Sequence, residues 1–305
     1  MEFLYLLEKI RTPFWDSFFL LITQFGEETA FLILALTLFW CVDKYKGYYI
    51  LSVGFIGITV NQFMKLWFRV PRPWNMTENF TCVIQAKEGA GGYSFPSGHT
   101  QTVVGAFGGL AYSFRNRAIR IISIALIVLV GFSRMYLGVH TPMDVFMSIA
   151  LGIFLIVVLK PIVLNDPRKY MPWVLGSMFI LGIAFMSFVL FYKFPVDIDL
   201  ENKNSALENA CTLIGALIGL IVVYFVDEKW LHFPTNALWW SQILKVAFGA
   251  VLVLLVQRLL KEPLNMALGN ELGRVVRYFV VVIVAGAVWP LTFRWFKKLG
   301  QRTIL

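Results

Sequence analysis

Polar residues that could act on a phosphate group occur in three short segments of an otherwise apolar chain. The segments hold Lys65 with Arg72, then Ser97-Gly98-His99, then Arg134 with His140 and Asp144. Fixed cations stabilise the charge of a phosphoryl group in transfer. Histidine can act as a nucleophile or as a proton donor. These residue types predict one phosphate-handling site, provided that the fold brings the segments together.

The second segment begins a predicted helix. A helix N-terminus presents free backbone N–H groups and binds anions. Gly98 would let the backbone approach a ligand closely, and Ser97 could donate a hydrogen bond from its hydroxyl group. His99 would then lie in the first turn, at the mouth of the site. Taken alone, Ser97-Gly98 is also a common helix cap.

The third segment places His140 four residues before Asp144. Thr141 is a suitable N-cap and Pro142 a suitable first helical residue, so Asp144 should point back toward His140. A carboxylate bonded to one ring nitrogen fixes the tautomer and makes the other nitrogen a better nucleophile or base. A purely structural pair would have the same spacing.

The cations have alternative explanations when each is considered alone. Lys65 could extend to the membrane surface, and Arg134 could be an ordinary charge at a helix end. Arg72 differs because prolines on both sides hold it in extended backbone. An unpaired charge such as Lys65 is costly within an apolar helix.

The composition predicts a membrane protein. The chain is 58% hydrophobic and only 15% charged, with a mean hydropathy of +0.71, whereas soluble domains carry about 25% charged residues. The net charge of +9 is spread over connections instead of one face. This pattern favours positive-inside topology and contact with membrane lipids over nucleic-acid binding.

Nine apolar runs predict an all-α, polytopic helical membrane protein of about nine transmembrane helices. The runs are about 27–42, 47–68, 96–114, 118–136, 142–159, 171–192, 207–226, 237–257 and 275–295. Residues 1–26 contain two shorter amphipathic pieces, which we expect to lie on the membrane surface. The chain is therefore predicted to have two parts. The first is a core at 1–165 that contains the three polar segments, and the second is a four-helix membrane extension at 166–305.

Counting helices places Arg72, His99, Arg134 and His140 on the same side of the membrane. The opposite side receives most basic connections, such as 43–46, 115–120 and 166–169, so positive-inside topology makes that side cytoplasmic. The acidic connection that contains Asp197 and Asp199 falls on the side of the site. We therefore expect an extracytoplasmic site and a cytoplasmic C-terminus.

The three segments resemble the signature motifs of the type 2 phosphatidic acid phosphatase superfamily. The motifs are Lys65-x6-Arg72-Pro73, Pro96-Ser97-Gly98-His99 and Ser133-Arg134-x5-His140-x3-Asp144. The resemblance covers about residues 15–160, and its three-part match is highly specific.

The resemblance implies a role for each residue. His140 would be the nucleophile that forms a phosphohistidine, Asp144 its partner, and His99 the acid that protonates the leaving oxygen. The phosphate would be held by Lys65, Arg72, Ser97, Gly98 and Arg134. The family needs no metal, so no metal and no other cofactor are expected.

The resemblance also implies that the protein is an integral phosphatase of the bacterial cytoplasmic membrane. Its substrate would be a lipid phosphate or pyrophosphate, of the undecaprenyl pyrophosphate, phosphatidic acid, phosphatidylglycerol phosphate or sphingoid phosphate type. There are two alternatives. One is a glucose-6-phosphatase-like enzyme that hydrolyses a soluble sugar phosphate, and the other is a lipid phosphotransferase with the same intermediate. A non-enzymatic lipid transporter or scaffold is disfavoured by the intact motifs. The helices of 166–305 could pack around the core, regulate it, admit lipid or form a homo-oligomer.

Overall fold

The structure is a computed structural model, and it describes residues 1–195 and 200–299. The described residues form helices and their connections, and none of them lies in a strand. The predicted all-α class is therefore confirmed. Asp197 and Asp199, part of the predicted acidic connection, lie outside the described residues.

The helices of the structure differ from the predicted apolar runs mainly at their ends. In chain order they are α1 (Glu2–Lys9), α2 (Pro13–Thr23), α3 (Glu28–Cys41), α4 (Lys44–Phe68), α5 (Pro73–Met76), α6 (Ile84–Glu88), α7 (Gly98–Val103), α8 (Gly109–Ser113), α9 (Arg117–Tyr136), α10 (Pro142–Asn165), α11 (Pro167–Phe191), α12 (Leu200–Val226), α13 (Trp239–Leu259), α14 (Lys261–Leu268), α15 (Asn270–Ile283) and α16 (Phe293–Leu299). Short 3₁₀ or π turns lie at Gln24–Gly26, Val104–Gly108, Asp227–Leu231, Val284–Val288 and Trp289–Thr292.

The predicted number of nine spans is not confirmed. Within the described residues, 7 helices are long and apolar enough to cross a membrane, or up to 8 if one bent pair counts as a span. That pair is Pro13–Gly26 with Glu28–Cys41, bent by 46°. The predicted third helix becomes α7, a π turn and α8. It is about 24 Å long at 1.5 Å per residue, less than the roughly 30 Å of a hydrocarbon core.

The N-terminal pieces have the amphipathic character that the sequence predicts. Thr12 caps α2 by accepting a hydrogen bond from the Trp15 backbone N–H at 3.4 Å, and Pro13 is the first helical residue. On α1, Leu4 and Leu7 are buried, whereas Leu6 is exposed. Exposed apolar side chains on both helices suit the surface of a membrane.

The chain divides into two compact units. The first comprises Met1–Leu34, Tyr49–Pro161 and the described part of Phe194–Ser205. In it, α1 and α2 pack on the end of α9 and on the connection between α5 and α7. The buried cluster consists of Leu4, Leu7, Phe19, Phe80, Val83, Ala86, Ala90, Tyr136, Leu137 and Val139. Each large apolar side chain in it contributes about 1.5–3 kcal/mol by burial.

Arg11 adds polar contacts to this cluster. Its Nε donates to the Tyr136 carbonyl at 2.9 Å, and its Nη1 donates to the Thr81 carbonyl at 2.8 Å. The connection that leads to Ser97 is thereby attached both to the N-terminal helices and to α9.

The second unit comprises Ala35–Tyr48, Ile162–Lys193 and the described part of Ala206–Leu305. Lys245 of α13 is fully buried there, and its ammonium group donates to the carbonyls of Trp40 and Thr235 at 3.1 and 3.2 Å. Lys44 pairs with Asp227 at 2.6 Å. The predicted domain boundary at residue 165 stays a prediction.

Arg11→Ala should loosen the connection between α5 and α7. Hydrogen bonds from a charged donor contribute about 1.5–3 kcal/mol, so losing two should raise local opening at least about tenfold. Hydrogen exchange of residues 77–90 in lipid nanodiscs measures the opening. Lys9→Ala, an exposed change at the end of α1, is the control. Equal exchange in the two variants would contradict the role given to Arg11.

Candidate active site

One cavity in the first unit collects most of the residues that the sequence singles out. Its volume is about 370 Å³. Six of the eight predicted site residues line it: Lys65, Arg72, Gly98, His99, Arg134 and His140. The other two, Ser97 and Asp144, are buried and adjoin Gly98 and His140. The fold thus brings the three polar segments to one place.

Backbone carbonyls hold the first two cations. Lys65, near the end of α4, donates from Nζ to the Tyr93 carbonyl at 2.5 Å. Arg72 donates from Nε to the Gly92 carbonyl at 2.8 Å, from Nη2 to the Gly91 carbonyl at 2.7 Å and from Nη1 to the Val139 carbonyl at 2.9 Å. Gly92 has a φ of +77°, a left-handed conformation that glycine adopts without strain.

Arg72 also sets the tautomer of His140. Its Nη1 lies 2.9 Å from His140 Nε2, and a guanidinium group can only donate, so Nε2 must carry the lone pair. The hydrogen is then on Nδ1, which faces Asp144 Oδ2 at 3.4 Å. Burial and the cations Arg72, Arg134 and Lys65 hold the pKa of His140 well below its usual range. The lowered pKa favours the neutral ring, whose lone pair on Nε2 accepts the hydrogen bond from Arg72.

Asp144 is held in place by hydrogen bonds with Thr141 and Ser94. Its Oδ2 accepts from the Thr141 backbone N–H at 2.7 Å and from the Ser94 hydroxyl at 2.5 Å. The Asp144 backbone N–H donates to Thr141 Oγ1 at 3.3 Å, and Pro142 is the first residue of α10, as the sequence predicts. Sequence analysis missed Ser94, although it lies only three residues before Ser97.

Ser97 has a structural task in this conformation. Its hydroxyl oxygen accepts from the Thr100 backbone N–H and from Thr100 Oγ1 at 2.9 Å, which caps α7. An added Cβ at Gly98 would meet nothing within 4 Å, so the backbone there is open to a ligand. The role of Ser97 as a phosphate donor stays a prediction.

Arg134 has a buried donor that is not satisfied by the described part of the protein. Its side chain is 2% exposed, and Nη1 donates to Thr23 Oγ1 of α2 at 2.7 Å. Its Nε is buried and has no acceptor among the residues that the structure describes. A buried charged donor without an acceptor is costly, and an anion in the cavity would supply one. Thr23 was not singled out from the sequence, because it lies 111 residues from Arg134.

Other polar groups complete the wall of the cavity. Glu27, another residue that sequence analysis missed, lies with its Oε1 2.8 Å from His99 Nε2. Asn61 and Gln101 are both 2% exposed and line the same cavity. In the described residues, no three His, Cys, Asp or Glu side chains are grouped so that they could hold a metal ion. Metal independence stays a prediction.

Two family models match the chain. The model described as PAP2 superfamily matches residues 45–168. The model described as PAP2 superfamily phosphatase, transmembrane extension, matches residues 211–302. No solved structure matches the chain.

Three curated proteins are similar. A probable sphingosine-1-phosphate phosphatase of Dictyostelium discoideum is 28% identical over 74% of this chain and 56% of its own length. The undecaprenyl-diphosphatase BcrC of Bacillus subtilis (strain 168) is 30% identical over 46% of this chain and 70% of its own. Phosphatidylglycerophosphatase B of the same bacterium is 28% identical over 50% of this chain and 76% of its own. The chain thus spans just over half the length of the Dictyostelium relative.

Arg134→Gln should weaken binding of inorganic phosphate to the purified protein by about 10- to 100-fold. Hydrogen bonds from a charged donor contribute about 1.5–3 kcal/mol, and this variant loses the charge together with the unpaired Nε donor. Isothermal titration in detergent measures the affinity. Arg120→Gln, an exposed arginine on α9, is the matched control. Equal affinity in both variants would remove Arg134 from the anion site.

Proposed function

The chain belongs to the PAP2 superfamily, and we propose that it hydrolyses a lipid phosphate through a phosphohistidine on His140. The arrangement of His140 carries this proposal. The lone pair on its Nε2 accepts a hydrogen bond from Arg72, which lines the cavity with Lys65 and Arg134, and it becomes free to attack when that donor moves to a phosphoryl oxygen. A neutral nucleophile beside cations that receive the phosphoryl oxygens is the arrangement that phosphoryl transfer requires.

The reaction has two steps. In the first, the lone pair of His140 Nε2 forms a bond to phosphorus, the bond to the leaving oxygen breaks, and His99 protonates that oxygen. In the second, water attacks phosphorus, gives a proton back to His99, and the phosphorus–nitrogen electron pair returns to His140. Lys65, Arg72 and Arg134 stabilise the oxygens in both steps. Asp144 stabilises the charge that His140 gains by accepting its Nδ1–H.

A lipid substrate is supported by the surroundings of the site. Thr23 of α2 bonds to Arg134, while Phe14 and Leu21 of the same helix are 71% and 65% exposed. Apolar side chains that face outward so close to a phosphate site suit a substrate whose tail stays in the bilayer. The relatives are named as phosphatases of a sphingoid phosphate, a polyprenyl diphosphate and a glycerophospholipid phosphate.

The site is proposed to open on the extracytoplasmic face of the membrane, with the C-terminus in the cytoplasm. The distribution of basic connections supports this orientation. The bacterial relatives support a cytoplasmic membrane as its location. The helices within 166–305 are proposed as contacts between copies of the chain.

His140→Asn should lower phosphate release at least about a thousandfold, because it removes the nucleophile. Release from dioctanoyl phosphatidic acid by protein in mixed micelles measures the effect. His232→Asn provides the matched control, since His232 is exposed and lies outside the cavity. Asparagine also tolerates the left-handed backbone of residue 232. A His140→Asn protein that keeps a tenth of the activity would refute the mechanism.

A substrate panel should show at least about tenfold higher kcat/KM for one lipid phosphate than for glucose 6-phosphate, because burial of the lipid tail adds binding energy. The panel holds phosphatidic acid, phosphatidylglycerol phosphate, sphingosine phosphate and undecaprenyl diphosphate. Glucose 6-phosphate as the best substrate would refute a lipid phosphatase. Mass spectrometry of the products, with diacylglycerol and glycerol as acceptors, separates hydrolysis from phosphotransfer. The expected products are free phosphate and the dephosphorylated lipid, without a phosphorylated acceptor.

A further inference from the structure

Glu27 reaches the active site from a part of the chain that none of the three motifs includes. It follows the turn Gln24–Gly26, directly before α3, in extended backbone. Its Oε1 lies 2.8 Å from Nε2 of His99, whose side chain is 17% exposed. Of the described carboxylates, this is the one that hydrogen-bonds to His99.

The approach is close because residue 26 is glycine. A Cβ at Gly26 would lie 2.9 Å from His99 Cβ and 3.0 Å from Val130 Cγ1. Such distances are shorter than van der Waals contact, so a larger residue would push the turn away from His99. The break between α2 and α3 is therefore packed against the Cβ and the backbone of His99.

The contact with Glu27 assigns the hydrogens of His99. A carboxylate only accepts, so Nε2 must carry a hydrogen in both the neutral and the charged ring. Nδ1 is then the nitrogen that loses and regains a proton. His140 has the opposite arrangement, with its lone pair on Nε2, because its partner at that atom is a guanidinium group.

Glu27 also offsets the charges that surround His99. Arg72 and Arg134 line the same cavity, as do Lys65 and His140, and positive neighbours disfavour an imidazolium ion. The carboxylates on this wall are Glu27 and Glu28, and the one bonded to His99 is Glu27. A proton donor must be charged before it acts, so a bonded carboxylate favours the active form.

We propose that Glu27 is a positioning residue that favours the charged form of His99 and directs its Nδ1–H at the leaving oxygen. The proposal rests on the hydrolysis described above. When the phosphorus–oxygen bond breaks, the Nδ1 proton goes to that oxygen, and the neutral ring remains bonded to Glu27 through Nε2–H. Water then returns a proton to Nδ1 as it attacks the phosphohistidine.

The test compares two leaving groups in a single turnover. An alkoxide needs a proton as it leaves, whereas 4-nitrophenolate leaves without one. Glu27→Gln should slow release of diacylglycerol from dioctanoyl phosphatidic acid by about 10- to 100-fold. Release of 4-nitrophenol from 4-nitrophenyl phosphate should fall less than about threefold. Single-turnover quench flow isolates the first step, so later hydrolysis of the phosphohistidine does not contribute.

Two further variants separate positioning from general effects. Glu28→Gln makes the same substitution at the other carboxyl group of this wall without breaking the bond to His99, so the ratio of the two rates should stay at the wild-type value. Glu27→Asp keeps a carboxylate and should restore part of the loss for the lipid. Equal slowing of both substrates by Glu27→Gln, or no slowing of either, would overturn the proposal.

The pH profile provides a second readout. Without the carboxylate, His99 loses its proton more readily, so the alkaline limb of the first-turnover rate should move to lower pH by about one unit. An unmoved limb would overturn the proposal while leaving the proposed hydrolysis intact. A wild-type protein that releases neither diacylglycerol nor 4-nitrophenol would overturn both.

Discussion

The guanidinium group of Arg72 connects the parts of the proposed catalytic centre. A buried charge is stable only when its hydrogen-bonding groups are satisfied, and Arg72 is 6% exposed. Its five N–H donors already contact three carbonyls and His140, which leaves one for a phosphate oxygen. Two-pronged binding of phosphate by Arg72 therefore requires one of these four contacts to be released. The proposed mechanism releases the contact with His140, because Nε2 of His140 then bonds to phosphorus.

The two histidines show how one residue type can take opposite roles. A cationic partner leaves a lone pair on His140 Nε2, and an anionic partner leaves a hydrogen on His99 Nε2. Neither assignment follows from the histidine itself. The partners come from residues 68 and 72 positions away along the chain, so the fold decides which ring attacks and which donates in the proposed mechanism.

The sequence predicted the features that depend on local chemistry. Apolar runs located most long helices, and Thr141-Pro142 located the start of α10, because caps and periodicity act over a few residues. Ser94, Thr23 and Glu27 escaped prediction, since their roles depend on contacts 50 to 111 residues away. The break between α2 and α3 falls where the sequence predicted it, whereas the close approach of Gly26 to His99 is visible only in three dimensions. The short α14 was also missed, because its eight residues include three polar ones and a proline.

The central claim is that His140 Nε2 carries the phosphoryl group between the two steps. The direct measurement uses protein mixed with the preferred lipid phosphate, quenched within milliseconds in alkali, where phosphohistidine survives, and analysed by peptide mass spectrometry. A phosphorylated peptide that contains His140 is expected in the wild-type protein and should be absent from His140→Asn. Phosphate release with no phosphorylated peptide at any time, or with the phosphoryl group on His99, would contradict it.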